Sequence, residues 1–140
     1  MKKLKLQIKK ENIDFLNWTI KGGLKTEAGK NRIVPVHEKI KGILIELYQK
    51  SKNDFLISGM RENHLSYSNF RSKTFIPLMQ KLGMQHRIHD TRYTFATAIT
   101  EVSQNNAAIT AVIGHTNIEM TRKYSKTNIE KMRKEIEKIN

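Results

Sequence analysis

Cysteine is absent from this 140-residue chain, tryptophan occurs once and proline twice, and acidic residues number 13 against 26 lysines and arginines. Each shortage excludes something. Without cysteine there is no disulfide framework and no thiolate metal site. That fits a reducing compartment, and a cytoplasmic location is expected. No apolar run approaches the ~20 residues of a membrane span, so a membrane is not an expected partner. The first ten residues hold five lysines, yet no apolar run follows them as it would in a signal peptide. No low-complexity stretch or interdomain linker interrupts the chain, whose length suits one domain. What is present in excess is positive charge. A net charge of +13 and an isoelectric point near 10.0 point to a polyanion as partner.

The pattern along the chain predicts an α+β domain, mainly helical, with a small antiparallel sheet at its N-terminal end. Residues 12–36 carry the sheet. Trp18-Thr19-Ile20 and Arg32 to Val36 are β-rich, and Gly22, Gly23 and Gly29 punctuate the connection between them. Pro35 suits a strand end or an edge. Beyond it the apolar period becomes helical. Ile40, Ile43, Leu44 and Leu47 mark a helix over about 37–50. Phe75, Leu78, Met79 and Leu82 mark another over about 66–82, with Ser66 as N-cap and Pro77 as a kink. Phe95, Ala98, Ile99 and Val102 mark a third, starting near Asp90. Ile109, Val112 and Ile113 mark a short helix that Gly114 ends. Thr-Asn-Ile-Glu occurs at 116–119 and again at 127–130, each time as a capping box. The last helix, from about 128, places Ile129, Met132, Ile136 and Ile139 near one face.

The residues able to carry chemistry fall into short strings. His89-Asp90-Thr91-Arg92 stands at a helix start. His115 follows Gly114, and Tyr124 lies in Thr121-Arg122-Lys123-Tyr124-Ser125-Lys126. Upstream, Lys25 occupies the glycine-bounded turn Gly22-Gly23-Leu24-Lys25-Thr26, ahead of Arg32-Ile33-Val34-Pro35-Val36. A guanidinium can grip two non-bridging phosphate oxygens, imidazoles and an amine can move protons, and a phenol can become a covalent nucleophile. On so basic a chain this set suggests phosphodiester chemistry with no metal or cofactor. His86 and His89 share a helical spacing, but with no cysteine and no carboxylate cluster beside them a zinc site is not expected.

At these residues the chain resembles the catalytic domain of the tyrosine recombinases, the phage-type integrases. The likeness runs from about Lys9 to the C-terminus. His89 and Arg92 match the family's His-x-x-Arg motif, and Ile113-Gly114-His115 its Leu-Gly-His box. Tyr124 lies at the family's usual distance beyond that histidine. Lys25 matches the lysine of its β-hairpin, ahead of a basic residue and the Ile/Val-Pro strand. Each motif alone is weak; all of them in order at these spacings are specific.

The resemblance implies site-specific recombination or integration of double-stranded DNA. Tyr124 would attack the scissile phosphate and form a 3′-phosphotyrosyl link. His89, Arg92 and His115 would act on that phosphate, and Lys25, or Lys30 across the same turn, would protonate the leaving 5′-oxygen. The C-terminal helix would either pack on its own domain or dock on a neighbouring protomer in a synaptic complex. One departure bears on activity: the family's other catalytic arginine falls, by spacing, at or just before Met1, where no arginine stands. Residues 1–140 are therefore expected to be a partial catalytic domain without the upstream DNA-binding domains, and inactive alone. The alternative is a non-catalytic basic DNA-binding module that keeps the integrase fold.

Overall fold

A computed structural model describes residues 7–22, 32–59, 64–113 and 126–139, with side chains from Ile129 onward in the last stretch. Three strands, β1 (Ile13–Asp14), β2 (Thr19–Gly22) and β3 (Arg32–Pro35), are followed by α1 (Glu38–Lys50). Next come α2 (Tyr67–Phe70), a π-helical turn (Arg71–Phe75) and α3 (Ile76–Lys81). Then follow α4 (Asp90–Val102), α5 (Asn106–Ile113) and α6 (Lys126–Ile136). This is the mainly helical α+β fold that the sequence predicts. The chain divides into two compact units, one of residues 12–41 and 92–140 and the other of residues 1–11 and 42–91.

In the first unit the sheet runs β1-β2-β3, antiparallel throughout. The register pairs Thr19 with Pro35, Ile20 with Val34, Lys21 with Ile33 and Gly22 with Arg32. Pro35 thus sits on an edge strand, where a missing N–H donor is tolerated. The turn between β1 and β2 is tied by Asp14, whose carboxylate accepts from the backbone N–H groups of Leu16 and Asn17, each at 2.9 Å. The Asn17 side chain is the main reason that the Asp14 carboxyl is held below its usual pKa. The turn ends on Trp18, which takes a left-handed backbone (φ 50°) and lies under the Lys41 ammonium, 4.8 Å from the ring centre. Sequence reading places Trp18 in a strand; the strand begins one residue later.

The core of this unit is helical. Ile99 of α4 is fully buried among Ala108, Ile109, Val112 and Ile113 of α5 and Met132 and Ile136 of α6. Val34 packs on this cluster from the sheet, and Phe95, Ala96, Ile129 and Ile139 pack on its margin. The buried stripe of α4 is therefore rotated slightly from the expected one: Ala96 joins Phe95 and Ile99, while Val102 is exposed. The expected stripe of α6 is packed against its own chain. That helix begins at Lys126 rather than near 128, a difference within the usual looseness of helix ends.

Two polar ties lock α6 in place. Glu135 accepts from Lys138 at 2.7 Å and from the Ser103 hydroxyl, and these bonds, Lys138 first, lower its carboxyl pKa. Arg133 donates to three backbone carbonyls, those of Asn17, Trp18 and Val36. Its guanidinium fork thereby caps the β1–β2 turn and the end of β3 together. Arg133→Ala removes donors from carbonyls that are partly withdrawn from water. It should destabilise the chain by ~1–3 kcal/mol in chemical denaturation. Arg133→Lys should recover little of that, since one ammonium cannot span three acceptors.

In the second unit the N-terminal segment pairs with the chain that follows α1. Lys10 N–H donates to the Asp54 carbonyl at 2.7 Å and Leu56 N–H to the Ile8 carbonyl at 2.8 Å. The Lys10 ammonium reaches the Ser51 carbonyl and lies over the Tyr48 ring. Leu44, Leu56, Phe75 and Ile88 are buried. Ser66 caps α2 as expected, accepting from Asn69 N–H at 3.2 Å. The irregularity expected at Pro77 takes the form of a π turn just before it, with Ile76 N–H donating to the Arg71 carbonyl. One extra residue in the turn accommodates a proline that cannot donate and that crowds the carbonyl four residues back. Gly83, with φ 65°, terminates α3.

Two predicted stripes are only partly covered. Leu44 is buried, but Ile40 and Ile43 of α1 are about half exposed, as are Leu78 and Leu82 around α3.

Candidate active site

Of the five residues that the sequence marks for catalysis, His89 and Arg92 fall in the described structure. Lys25, its alternative Lys30, His115 and Tyr124 lie outside the described residues, as does the capping box at 116–119.

The start of α4 is built by its own sequence. Asp90 folds back so that its carboxylate accepts from Arg87 N–H at 2.8 Å, and it stands 3.7 Å from the Arg87 guanidinium and 3.8 Å from His86. The Thr91 hydroxyl donates to the Ile88 carbonyl at 2.7 Å. A carboxylate in the first helical turn is favoured by the helix dipole. These contacts fix where the helix begins: His89 is in the turn just before it and Arg92 in its first turn. Both are exposed.

Arg92 does not stand alone. Arg32, the first residue of β3, is half-buried, and its guanidinium is held below its ordinary pKa first by burial and then by the positive charge of Arg92. The backbone gives each its placement. Arg32 and Val34 share one face of β3, because side chains alternate along a strand, and Val34 packs on the helical core. Arg92 precedes Ala96 and Ile99 by one and two helical turns, so it extends the stripe of α4 that faces the same core. Both positions thus lie in line with the core-facing residues of their own element. Neither has a carboxylate partner among the described residues. Sequence reading used Arg32 only as a marker of the strand. Its signal was the alternation with Val34, which assigns it to the core-facing side.

Among the described residues no three histidines, aspartates or glutamates gather to hold a metal ion, and no helix is long and apolar enough to cross a membrane. The features of this region are cationic: a helix start with an exposed guanidinium, and a half-buried Arg32 whose pKa is lowered in part by that positive charge.

Comparison with known proteins agrees with this picture. Residues 4–131 match the phage integrase family, and the chain belongs to that family. Its curated relatives include the tyrosine recombinase XerA of Thermococcus kodakarensis, 29% identical over 94% of this chain and 48% of that protein. The protein of the same name from Pyrococcus horikoshii is 28% identical over 95% of this chain and 47% of its own length. That from Thermococcus onnurineus is 30% identical over 94% and 48%. The chain spans about half the length of the curated relatives it matches. No solved structure gives a significant match.

Proposed function

We propose that this chain is the catalytic part of a site-specific DNA recombinase that works through a tyrosine nucleophile. The observation that carries the reading is the ordered set Lys25, His89, Arg92, His115 and Tyr124 in a chain of the phage integrase family. The Tyr124 oxygen attacks the scissile phosphorus, the O–P bond to tyrosine forms, and the bond to the 5′-oxygen breaks. Lys25 gives that oxygen its proton, leaving a free 5′-hydroxyl and a 3′-phosphotyrosyl link. Arg92 and His115 hold the phosphate oxygens, and His89 shares in proton handling. The link conserves the energy of the phosphodiester, so attack by a 5′-hydroxyl rejoins the strand without a nucleotide cofactor. Arg92 is exposed at a helix start, a position suited to a phosphate.

A suicide duplex, nicked so that the 5′-hydroxyl fragment diffuses away, tests this. The full-length protein should become covalently attached to the 3′ side of the cut. Duplex binding with no adduct would favour the other reading, a DNA-binding module without the reaction. Protomer contacts through the C-terminal helix are part of the proposal too. Because Met132 and Ile136 are buried against their own chain, α6 would have to leave that site to exchange between protomers.

Binding itself should be electrostatic. The 140-residue chain carries a net charge of +13, so its affinity for duplex DNA should fall steeply with salt. The logarithmic slope is expected to be about −0.9 for each phosphate neutralised, with little sequence preference. An anisotropy titration over several salt concentrations measures it, and a flat line would remove the electrostatic account.

A further inference from the structure

We propose that Asp90 is a positioning residue for the phosphodiester reaction, its carboxylate closing the turn that carries His89 into the start of α4. The inference deepens the recombinase reading and rests on it for the reaction.

Geometry is the first argument. The Asp90 carboxylate accepts from Arg87 N–H at 2.8 Å, and Asp90 N–H donates to the Arg87 carbonyl at 2.9 Å. Ile88 and His89 lie inside the loop that this reciprocal pair closes. It is the half of a capping box in which an acidic residue reaches back to the backbone N–H at the helix cap. The carboxylate also stands 3.7 Å from the Arg87 guanidinium and 3.8 Å from His86, contacts that reach back in the same direction. Ile88 is anchored by burial. Its carbonyl accepts from Thr91 twice, from the N–H at 3.3 Å and from the hydroxyl at 2.7 Å. His89 is thus bracketed by a buried residue before it and a tied carboxylate after it.

Exposure is the second argument. His89 is exposed, so burial of its own side chain does not fix it, and the backbone on each side of it must. Arg92 follows in the first turn of the same helix, so the tie that sets where α4 begins sets the starting point of both motif residues. Asp90 has no part in the proposed proton transfers or phosphate contacts. Its negative charge opposes a phosphate nearby, so what it contributes to the site is the shape of the turn. Shape matters here because displacing a reacting group by about 1 Å can cost ~10² in rate.

The test uses the full-length protein and a saturating suicide duplex, with Asp90→Ala, Asp90→Asn and, as control, Ser66→Ala, which removes the N-cap of α2. Asp90→Ala loses the acceptor for Arg87 N–H. It should slow single-turnover adduct formation by about tenfold to a hundredfold, the scale of a small misplacement. Duplex affinity should hold or rise, since a negative charge is gone. Asp90→Asn keeps an acceptor oxygen and should recover most of the rate. Ser66→Ala should lower the melting temperature as Asp90→Ala does, yet react like the parent well below either melt. Amide hydrogen exchange in the 140-residue chain reads the tie with no reaction. The Arg87 amide should exchange about tenfold faster in Asp90→Ala, the scale of one hydrogen bond to a charged group, and little faster in Asp90→Asn. An Asp90→Ala rate equal to the parent's would overturn the proposal, as would Asp90→Asn as slow as Asp90→Ala. Equal slowing in Ser66→Ala, or a loss of duplex affinity in Asp90→Ala, would mark the effect as one of stability alone and overturn it too. An unchanged Arg87 amide beside a parent that forms the adduct sinks only the tie. A parent that forms no adduct sinks the recombinase reading, and the role of Asp90 in the reaction with it.

Discussion

Tyr124→Phe in the full-length protein is expected to leave no covalent protein–DNA adduct on a suicide duplex, with duplex binding nearly unchanged. The substitution removes one oxygen. A free phenol has a pKa near 10 and is a weak nucleophile at neutral pH. What makes it competent is position: an oxygen held at the phosphorus in line with the leaving group, surrounded by cations that favour the phenolate. Tyr124 stands in a run containing Arg122, Lys123 and Lys126. Phenylalanine keeps the ring and those charges and has nothing to attack with, so the loss should be as large as removal of other covalent nucleophiles, on the order of 10⁶ in rate. Denaturing gel electrophoresis of the trapped complex is the measurement. An adduct that persists in Tyr124→Phe would assign the nucleophile elsewhere, and Tyr48, Tyr67 and Tyr93 would be the next to substitute.

Arg92→Ala should be the second-largest loss and should differ in kind. As a phosphodiester is attacked, charge gathers on its non-bridging oxygens, and a donor already aimed at them acts most strongly in the transition state. Losing one such donor slows reactions by ~10²–10³. Adduct formation in Arg92→Ala should therefore be slowed rather than abolished, and binding should weaken as well, since a ground-state phosphate is held by the same fork. Arg92→Lys should restore part of the binding and little of the rate, because an ammonium is a point charge without the planar fork. Single-turnover adduct kinetics at saturating duplex separate the two effects. A rate in Arg92→Ala equal to that of the parent would remove Arg92 from the reaction.

The outline of the fold was legible because local rules decided it. Ser66 before an amphipathic run is a cap in any context, Pro35 can only sit where a donor is dispensable, and Asp90 folds back on Arg87 within one turn. What local pattern could not give was the partner. Ile40 and Ile43 lie on an apolar stripe, but periodicity says which face is apolar and not what lies against it, and both remain half exposed. Trp18 looked like a strand residue because its side chain is one; the turn tied by Asp14 and the cation of Lys41 place it instead in a left-handed turn. The π turn before Pro77 depends on how a helix repairs one missing donor, and that choice is made over a full turn. In the candidate site, His89 and Arg92 were legible as a motif at a helix start. The influence of the Arg92 charge on Arg32 was not, since the two are far apart in sequence.

The grip of Arg133 has a consequence for how this chain can diverge. Its acceptors are main-chain carbonyls of Asn17, Trp18 and Val36, and every amino acid offers a carbonyl. Substitution at those three positions leaves the acceptors in place as long as the backbone path is kept, whereas no other side chain supplies the fork that reaches all of them. The tie between the sheet and the C-terminal helix is thus one-sided in its demands. This tie asks nothing of the side chains at positions 17, 18 and 36, although burial holds Val36 on its own account, and it does fix position 133. Among descendants of a common ancestor, the helix should keep its arginine while the turn that it holds changes its letters.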